Sequence, residues 1–412
     1  MISLRDCSNK SERRPLRRIL LAVLLCAPAV CAGAPQARTS QAQPPAFTPP
    51  APSPNDTLRS PEVSSNRHVT FRLYAPHAQE VKLQAEGKEA TAGISPQEVA
   101  KGMAGFPMIR GADGVWSIDF GPIQPGVYRY TFVVDGVQTT DPRNPVSSES
   151  LNSVKSMYEV PGAAFEEYRP GVPHGSIASV WYRSSATGGL RRMHVYTPPG
   201  YEHDSRSYPV LYLLHGGGDS DDSWPTVGRA GAILDNLVAA GQAVPMIIVM
   251  PAGHISRDFQ LRSGQNTMGH DKFNEDLTGS IIPYVDHNYR TLADREHRAL
   301  AGLSMGGLQV LTRSLTHSDL FSYIGVFSSG WFPNMRDREE KTTLAQYKAG
   351  GKPYKLYWVG VGQYDIAKAN SGATVELLRK YGIVPVTHDS GGFHAWNNWR
   401  DYLHIFAPQL FR

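Results

Sequence analysis

The chain has 412 residues, room for two or three domains at roughly 100–200 residues each. At 41% hydrophobic, 19% charged and 10% aromatic its composition is globular, which excludes wholesale disorder. The formal net charge of +4 is local: residues 1–34 carry six Lys/Arg against Asp6 and Glu12, and the remainder balances 35 basic with 35 acidic residues. A neutral body gives no electrostatic reason for a nucleic-acid or anionic-membrane partner.

Arg13, Arg14, Arg17 and Arg18 precede an apolar run from Ile19 to Val30 and then Ala32-Gly33-Ala34. A basic segment, a short apolar segment and a small-x-small site read as a secretory signal peptide cut after Ala34. The run falls short of the roughly 20 apolar residues that a membrane span needs. The expectation is a secreted or periplasmic protein with no membrane attachment once residues 1–34 are removed. All three cysteines (Cys7, Cys26, Cys31) lie in this leader, so the remaining chain has no thiol for a disulfide, a nucleophile or a metal site. Residues 35–61, rich in Pro, Ala, Gln and Ser, are too poor in apolar side chains to fold and read as a linker.

Residues 62–160 read as a small all-β domain. VTFRLYAP, VKLQAE, GVWSIDF, GVYRYTFVVDG and SMYEV are short strand candidates bounded by Gly, Pro and Asp. Alternation places Tyr128, Tyr130, Phe132 and Val134 on one face, and Asp135-Gly136 supplies a hairpin turn. Several such strands in about 100 residues predict a β-sandwich. Trp116, Tyr128 and Tyr130 read as core aromatics rather than as a sugar-stacking platform. A second linker, 161–173, leads into residues 174–412. There the apolar runs PVLYLLH, PMIIVMP, RALAGLS, YIGVFSS and KLYWVGVG alternate with helical stretches at Ala230–Ala240, Phe273–Tyr289 and Gly306–Thr316. Continuous apolar strands between helices predict a parallel sheet covered on both faces, in one α/β domain.

Gly302-Leu303-Ser304-Met305-Gly306 is a G-x-S-x-G with a buried-strand run before it and a helical run after it, the setting that presents a serine hydroxyl at the carboxyl end of a sheet. A serine nucleophile needs a base, and the base an orienting acid, in the chain order Ser, Asp/Glu, His. His394 follows a glycine pair in a loop after a strand-like segment. His317 lies at the exit of the elbow helix, and His388 within the strand. Asp365 directly follows the strand Lys355–Gly362, whereas Glu376 sits on a helix and Asp389 stands too close to His394. The oxyanion donors are expected from the backbone N–H of Met305 and from Gly217 and Gly218 of His215-Gly216-Gly217-Gly218, where glycine lets the backbone approach substrate. His215 reads as a packing and hydrogen-bonding residue. The glycine loop lacks the Lys-Ser/Thr of a phosphate-binding loop, and no H-E-x-x-H or cysteine site appears, so no metal or other cofactor is expected.

With these residues together, the chain resembles the esterase D-like enzymes of carbohydrate esterase family 1: feruloyl and acetylxylan esterases, with enterochelin esterases as relatives. The resemblance runs from about Pro61 to Arg412. It rests on Pro173-His174-Gly175, RMHVYTPPGY, YPVLYLLHGGGDSDDSW, ILDNLVA, IVMPAGH, IIPYVDHNYR, AGLSMGGLQ and HAWNNW. In the front part, DGVWSIDFGPIQPGVYRYTFVVDG and DPRNP look like the immunoglobulin-like domain, similar to glycogen-binding modules, that precedes such esterases. The resemblance implies an α/β hydrolase with a Ser304, Asp365, His394 triad. The family's histidine directly follows paired glycines; here Phe393 intervenes, while His394, Trp396 and Trp399 keep the H-x-W-x-x-W pattern.

The reading is a serine carboxylesterase that releases feruloyl or acetyl groups from an acylated polysaccharide or oligosaccharide such as xylan. Trp224, His254, Trp331 and Phe332 stand on loops expected to border the substrate pocket. The residues leave open a siderophore esterase acting on a catecholate trilactone and an acyltransferase of the related mycolyltransferase kind. A glycan-binding protein with a vestigial esterase domain is the rival from another class.

Overall fold

The computed structural model describes residues 48–90, 95, 97–99, 104–255 and 272–412. The leader at 1–34, and the linker as far as residue 47, lie outside the described residues. Pro52–Arg412 form one compact unit. The end of the proline-rich stretch is already tied to folded chain: the Asn55 amide donates to Tyr74 O and accepts from Tyr74 N, both at 3.0 Å. Ser60 is buried and donates to Asp141 Oδ2 at 2.6 Å.

Between residues 62 and 160 the chain makes two antiparallel sheets. One runs Glu62–Val63, Val69–Tyr74, Val115–Phe120, Ile109–Arg110. The other runs Phe106–Pro107, Val81–Ala85, Gly126–Val134, Val154–Val160, Ser147–Glu149, with Val137–Thr139 also paired to Gly126–Val134. Aromatics from both sheets fill the space between them, with Phe71 and Tyr130 ring centroids 4.6 Å apart and Phe71 edge-on to Tyr158. Trp116 Nε1 donates to Ala75 O at 2.9 Å and Tyr130 OH to Asp141 Oδ2 at 2.8 Å, so these rings bury their apolar bodies with their polar handles satisfied. The expected one-sided alternation of Gly126–Val134 holds for Tyr128, Tyr130 and Phe132, but Val127, Arg129 and Thr131 are buried too. The second face of that strand lies against the α/β part: Val127 belongs to the same apolar cluster as Trp224, Trp396 and Trp399.

The α/β part holds one eight-stranded sheet in the order Ser176–Arg183, Leu190–Thr197, Ile247–Pro251, Val210–Leu214, Arg298–Leu303, Tyr323–Phe327, Leu356–Gly362, Val386–Ser390. The last six are parallel and the first two form an antiparallel edge. The five predicted apolar runs are its five central parallel strands. They are buried on both faces: on Val210–Leu214, Tyr212 and Leu214 enter one apolar cluster while Leu211 and Leu213 enter the other. The antiparallel edge escapes an apolar-run reading because its burial alternates and leaves Trp181 and Leu190 exposed. Helices Ala230–Ala239, Met305–Thr316, Lys368–Lys380 and Trp396–Phe406 cover the sheet. The predicted helix over Phe273–Tyr289 is observed as Lys272–Asn288, with a π-helical turn at Leu277–Ile281.

The stretch 161–173, expected as a linker, has no helix or strand but is anchored by a buried acid. Glu166 pairs with Arg400 Nε, and Arg400 Nη1 also donates to Val127 O at 2.9 Å and Val227 O at 3.0 Å. One guanidinium thus fastens the sandwich, the connecting stretch and the last long helix together.

Candidate active site

Ser304 stands between the strand Arg298–Leu303 and the helix Met305–Thr316 with φ 52° and ψ −114°, a conformation that costs a non-glycine residue free energy. Close packing of the strand, the helix and the neighbouring loop enforces it. A Cβ on Gly302 would lie 2.7 Å from the Gly306 backbone, and one on Gly306 would lie 2.6 Å from His215 O. The Ser304 N–H donates to Phe327 O at 2.9 Å, and Ser329 Oγ donates to Ser304 O at 2.7 Å, which fixes the turn from the adjacent strand end.

The structure brings Asp365 and His394 to this serine. Ser304 Oγ lies 3.0 Å from His394 Nε2, and His394 Nδ1 lies 2.8 Å from Asp365 Oδ1. With Nδ1–H donating to the carboxylate, Nε2 is the acceptor for the serine hydroxyl. Burial pushes the Asp365 carboxyl up, but the His394 hydrogen bond and charge, together with the Ala367 N–H, outweigh it and hold the group below its ordinary range. Asp365 also accepts from the Ala367 N–H at 2.7 Å in the turn just ahead of the helix Lys368–Lys380, which holds the carboxylate in place as it orients the imidazole.

The loop that carries His394 is shaped by Phe393. Its ring is buried and stacks on Tyr364 with centroids 5.2 Å apart, and its carbonyl accepts from Asn398 Nδ2 at 2.6 Å. Gly392 is required here, since a Cβ would lie 2.3 Å from Asn398 Oδ1. The inserted aromatic is absorbed by packing, and the His394 ring rests edge-on against Trp399, 5.1 Å away.

Met305 is buried at the first position of its helix, where backbone N–H groups are free of intrahelical partners and the dipole favours negative charge. Opposite, Gly216 packs against the serine: a Cβ there would lie 3.4 Å from Ser304 Cβ. Gly217 is half-buried, and Gly218 lies further out, exposed, with its carbonyl accepting from the Leu151 N–H at 3.2 Å. His215 is the packing residue its position suggests. Its Nε2 accepts from the Gly253 N–H at 2.8 Å, which leaves Nδ1 to donate to Gly216 O at 2.8 Å. Burial depresses its basicity and keeps the ring neutral.

The family model named Esterase matches residues 184–411, a span that includes all of these groups. The chain belongs to the esterase family. Its eight-stranded sheet and covering helices are of the α/β hydrolase type. This esterase is 32% identical over 361 residues to an endo-1,4-beta-xylanase/feruloyl esterase of Xylanibacter ruminicola, covering 85% of the chain and 46% of that protein. It is 25% identical over 65% of its length to endo-1,4-beta-xylanase Y of Acetivibrio thermocellus, of which it covers 26%. The esterase therefore spans less than half the length of these curated relatives. Among solved structures, the ferulic acid esterase of Anaeromyces mucronatus aligns at 27% identity and TM-score 0.54, covering 61% of this chain and 96% of that one. The enterobactin esterase of Shigella flexneri aligns at 17% identity and TM-score 0.58, covering 83% and 92%, a likeness of fold.

Two of the residues expected to border the esterase's pocket do not do so. Trp224 is 1% exposed, donates from Nε1 to Leu214 O at 3.1 Å and packs edge-on against Trp396. Trp331 is 0% exposed in the opposite cluster, its N–H donating to Thr374 Oγ1 at 2.8 Å. Both follow loop-like sequence, but neighbouring helices cover them and make them scaffold. His254 is half-buried and lines a cavity of about 600 Å³ beside the glycine loop. Burial and the adjacent His215 push its imidazole down to about 4. Glu149 to Val154 of the sandwich form one wall of this cavity; Trp181, Leu190 and Arg192 of the antiparallel edge form another. Trp181, 60% exposed, is the aromatic of this cavity, whose lining includes none of Ser304, Asp365 and His394. The alternation of SIASVWYR leaves that ring on the open face. Among the described residues, no group of three or more His, Cys, Asp or Glu is arranged to hold a metal ion.

Proposed function

We propose that this esterase is exported, loses residues 1–34, and removes feruloyl or acetyl groups from plant cell-wall polysaccharide such as xylan, with Ser304 as nucleophile, His394 as general base and acid, and Asp365 as its orienting partner. The observation that carries this reading is the continuous hydrogen-bonded line from Ser304 Oγ through both nitrogens of His394 to Asp365. In the mechanism, His394 Nε2 takes the serine proton as Oγ attacks the ester carbonyl. The negative charge develops on the carbonyl oxygen between the Met305 N–H and the glycine loop, and the imidazolium is stabilised by Asp365. Nε2 returns the proton to the departing alcohol oxygen, leaving an acyl-serine. Water then repeats the sequence and releases the acid and the free serine.

The substrate class is supported by the ferulic acid and xylan names of the relatives. In this reading the sandwich is an immunoglobulin-like, glycogen-binding-like module.

The test compares the purified protein with Ser304→Ala on acetylated xylan, methyl ferulate and a catecholate trilactone. Serine-dependent turnover of either of the first two is expected, with a loss of about 10⁴-fold or more in the variant and an unchanged melting temperature. Turnover of the trilactone alone would move the protein to iron acquisition. An active, folded Ser304→Ala protein would sink the triad. The N-terminal mass of exported protein, expected to begin at Pro35, checks the leader.

A further inference from the structure

The triad residues all belong to the α/β part, yet the glycine loop beside them is held from the sandwich. Arg129, on the strand Gly126–Val134, is buried; its Nε donates to Glu86 Oε1 at 3.0 Å and its Nη1 to Asp219 Oδ1 at 2.9 Å. Asp219 is the residue next after His215-Gly216-Gly217-Gly218. Its N–H donates to Gly216 O at 3.2 Å, and its Oδ2 lies 3.1 Å from where a Cβ of Gly216 would stand, so the carboxylate sits against the glycine that packs on Ser304. Burial pushes the Asp219 carboxyl up, but the Arg129 charge and hydrogen bond override it and keep the group ionised below its ordinary range.

The contact extends into the backbone. Ser150 forms an antiparallel bridge with Asp219, and the Leu151 N–H donates to Gly218 O at 3.2 Å. The Glu149 N–H donates to Asp222 Oδ2 at 2.8 Å, and Ser220 Oγ donates to Glu149 O at 3.1 Å. The loop of residues 216–222 is therefore paired on its outer side to chain from the sandwich, as one sheet edge is to another.

We propose that Arg129 is a positioning residue for ester hydrolysis: through Asp219 it sets the Gly216–Gly218 backbone donors over Ser304, so the sandwich is a working part of the oxyanion site. This rests on the role given above to Ser304 and the glycine loop. A buried carboxylate deprived of its cation must move toward water or take up a proton. Either event releases the turn that Asp219 closes on Gly216. Donors displaced by a fraction of an ångström lose stabilisation of the oxyanion but little ground-state binding, so the loss falls on kcat.

The experiment is steady-state hydrolysis of p-nitrophenyl acetate by the full chain, Arg129→Met, Arg129→Lys, Phe71→Leu and Ser304→Ala, with melting temperatures. Arg129→Met is expected to lower kcat about 10- to 100-fold with KM within about twofold. Arg129→Lys, which returns a cation beside Asp219, recovers part of that loss. Phe71→Leu thins the sandwich core away from the seam and lowers the melting temperature with kcat unchanged. A folded Arg129→Met with kcat within about threefold of the parent overturns the proposal, as does a Phe71→Leu loss of kcat equal to that of Arg129→Met. If Arg129→Met does not fold, the same thresholds apply to Asp219→Asn, which removes the charge from the other side of the contact. Ser304→Ala separates the two levels: its retention of activity removes the nucleophile, whereas an inactive Ser304→Ala beside a fully active Arg129→Met removes only the clamp.

Discussion

The sandwich and the eight-stranded sheet bury themselves by different means. The sandwich is small and fills its interior with Phe71, Trp116, Tyr128, Tyr130, Phe132 and Tyr158, large rings whose polar ends hydrogen-bond within the domain or at its rim. The larger sheet is packed on both faces, mostly by Val, Ile, Leu and Ala on its strands, and keeps the carboxyl ends of its strands for Ser304, Asp365 and the glycine loop. The boundary between them resembles neither. It sets buried charge beside apolar contact: Arg129 with Asp219, and Arg400 with Glu166 and the Val127 carbonyl, next to the Val127 side chain among Trp224, Trp396 and Trp399. A compact aromatic domain has no spare inward face to offer a neighbour, so it joins through outward groups: Val127 and Arg129 on one strand, and the chain at Glu149, Ser150 and Leu151.

Three changes break this contrast to different degrees. The largest expected effect confines itself to the sheet. Asp365→Asn keeps the shape but favours the wrong imidazole tautomer, and kcat should fall about 10³- to 10⁴-fold with melting temperature little changed. Chromogenic ester turnover beside calorimetry reads both numbers, and loss of stability in proportion to activity would count against an orienting role. At the boundary, Arg400→Met leaves Glu166 buried without its cation and should destabilise the protein by about 3–5 kcal/mol in denaturant unfolding. Adding Glu166→Gln should restore part of that, which a double-mutant cycle measures.

The smallest effect is set by pH. Burial pushes the Asp221 carboxyl up, but hydrogen bonds from His194 and Arg192 bring it down to about 2. Because the folded value lies below the unfolded one, the carboxylate's contribution of about 2 kcal/mol is complete above pH 4 and is lost as pH falls toward 2. Asp219 and Asp365 are depressed as well and act in the same direction. Unfolding free energy should therefore decline steeply below pH 4, and an Asp221→Asn variant should show a shallower acid slope over that window.

Ser304, Asp365 and His394 were legible in sequence because chain order and strand-end position are local properties, and the elbow advertises itself through its glycines. The five apolar strands were legible for the same reason: burial on both faces leaves continuous runs. Trp224 and Trp331 were not placed correctly, since a tryptophan after a loop has the same local sequence whether a helix later covers it or water does. Arg129 was hidden by its own alternation. Opposite Tyr128 and Tyr130 it reads as a solvated charge, and only the fold of a segment 90 positions away supplies Asp219. Glu166 lay in a stretch with no periodicity to reveal that it is buried.

The Arg400 contact joins residues 273 positions apart, from the sandwich strand to the last long helix. A chain that folds from its amino end completes the sandwich while the guanidinium that seals its outer face is still unmade. Glu166 and the Val127 carbonyl wait as open polar groups through most of synthesis. A chain cut short before Arg400 would keep the Arg129–Asp219 contact but leave Glu166 and the Val127 carbonyl without this partner, and limited proteolysis of such a chain is expected to cut sooner near Glu166.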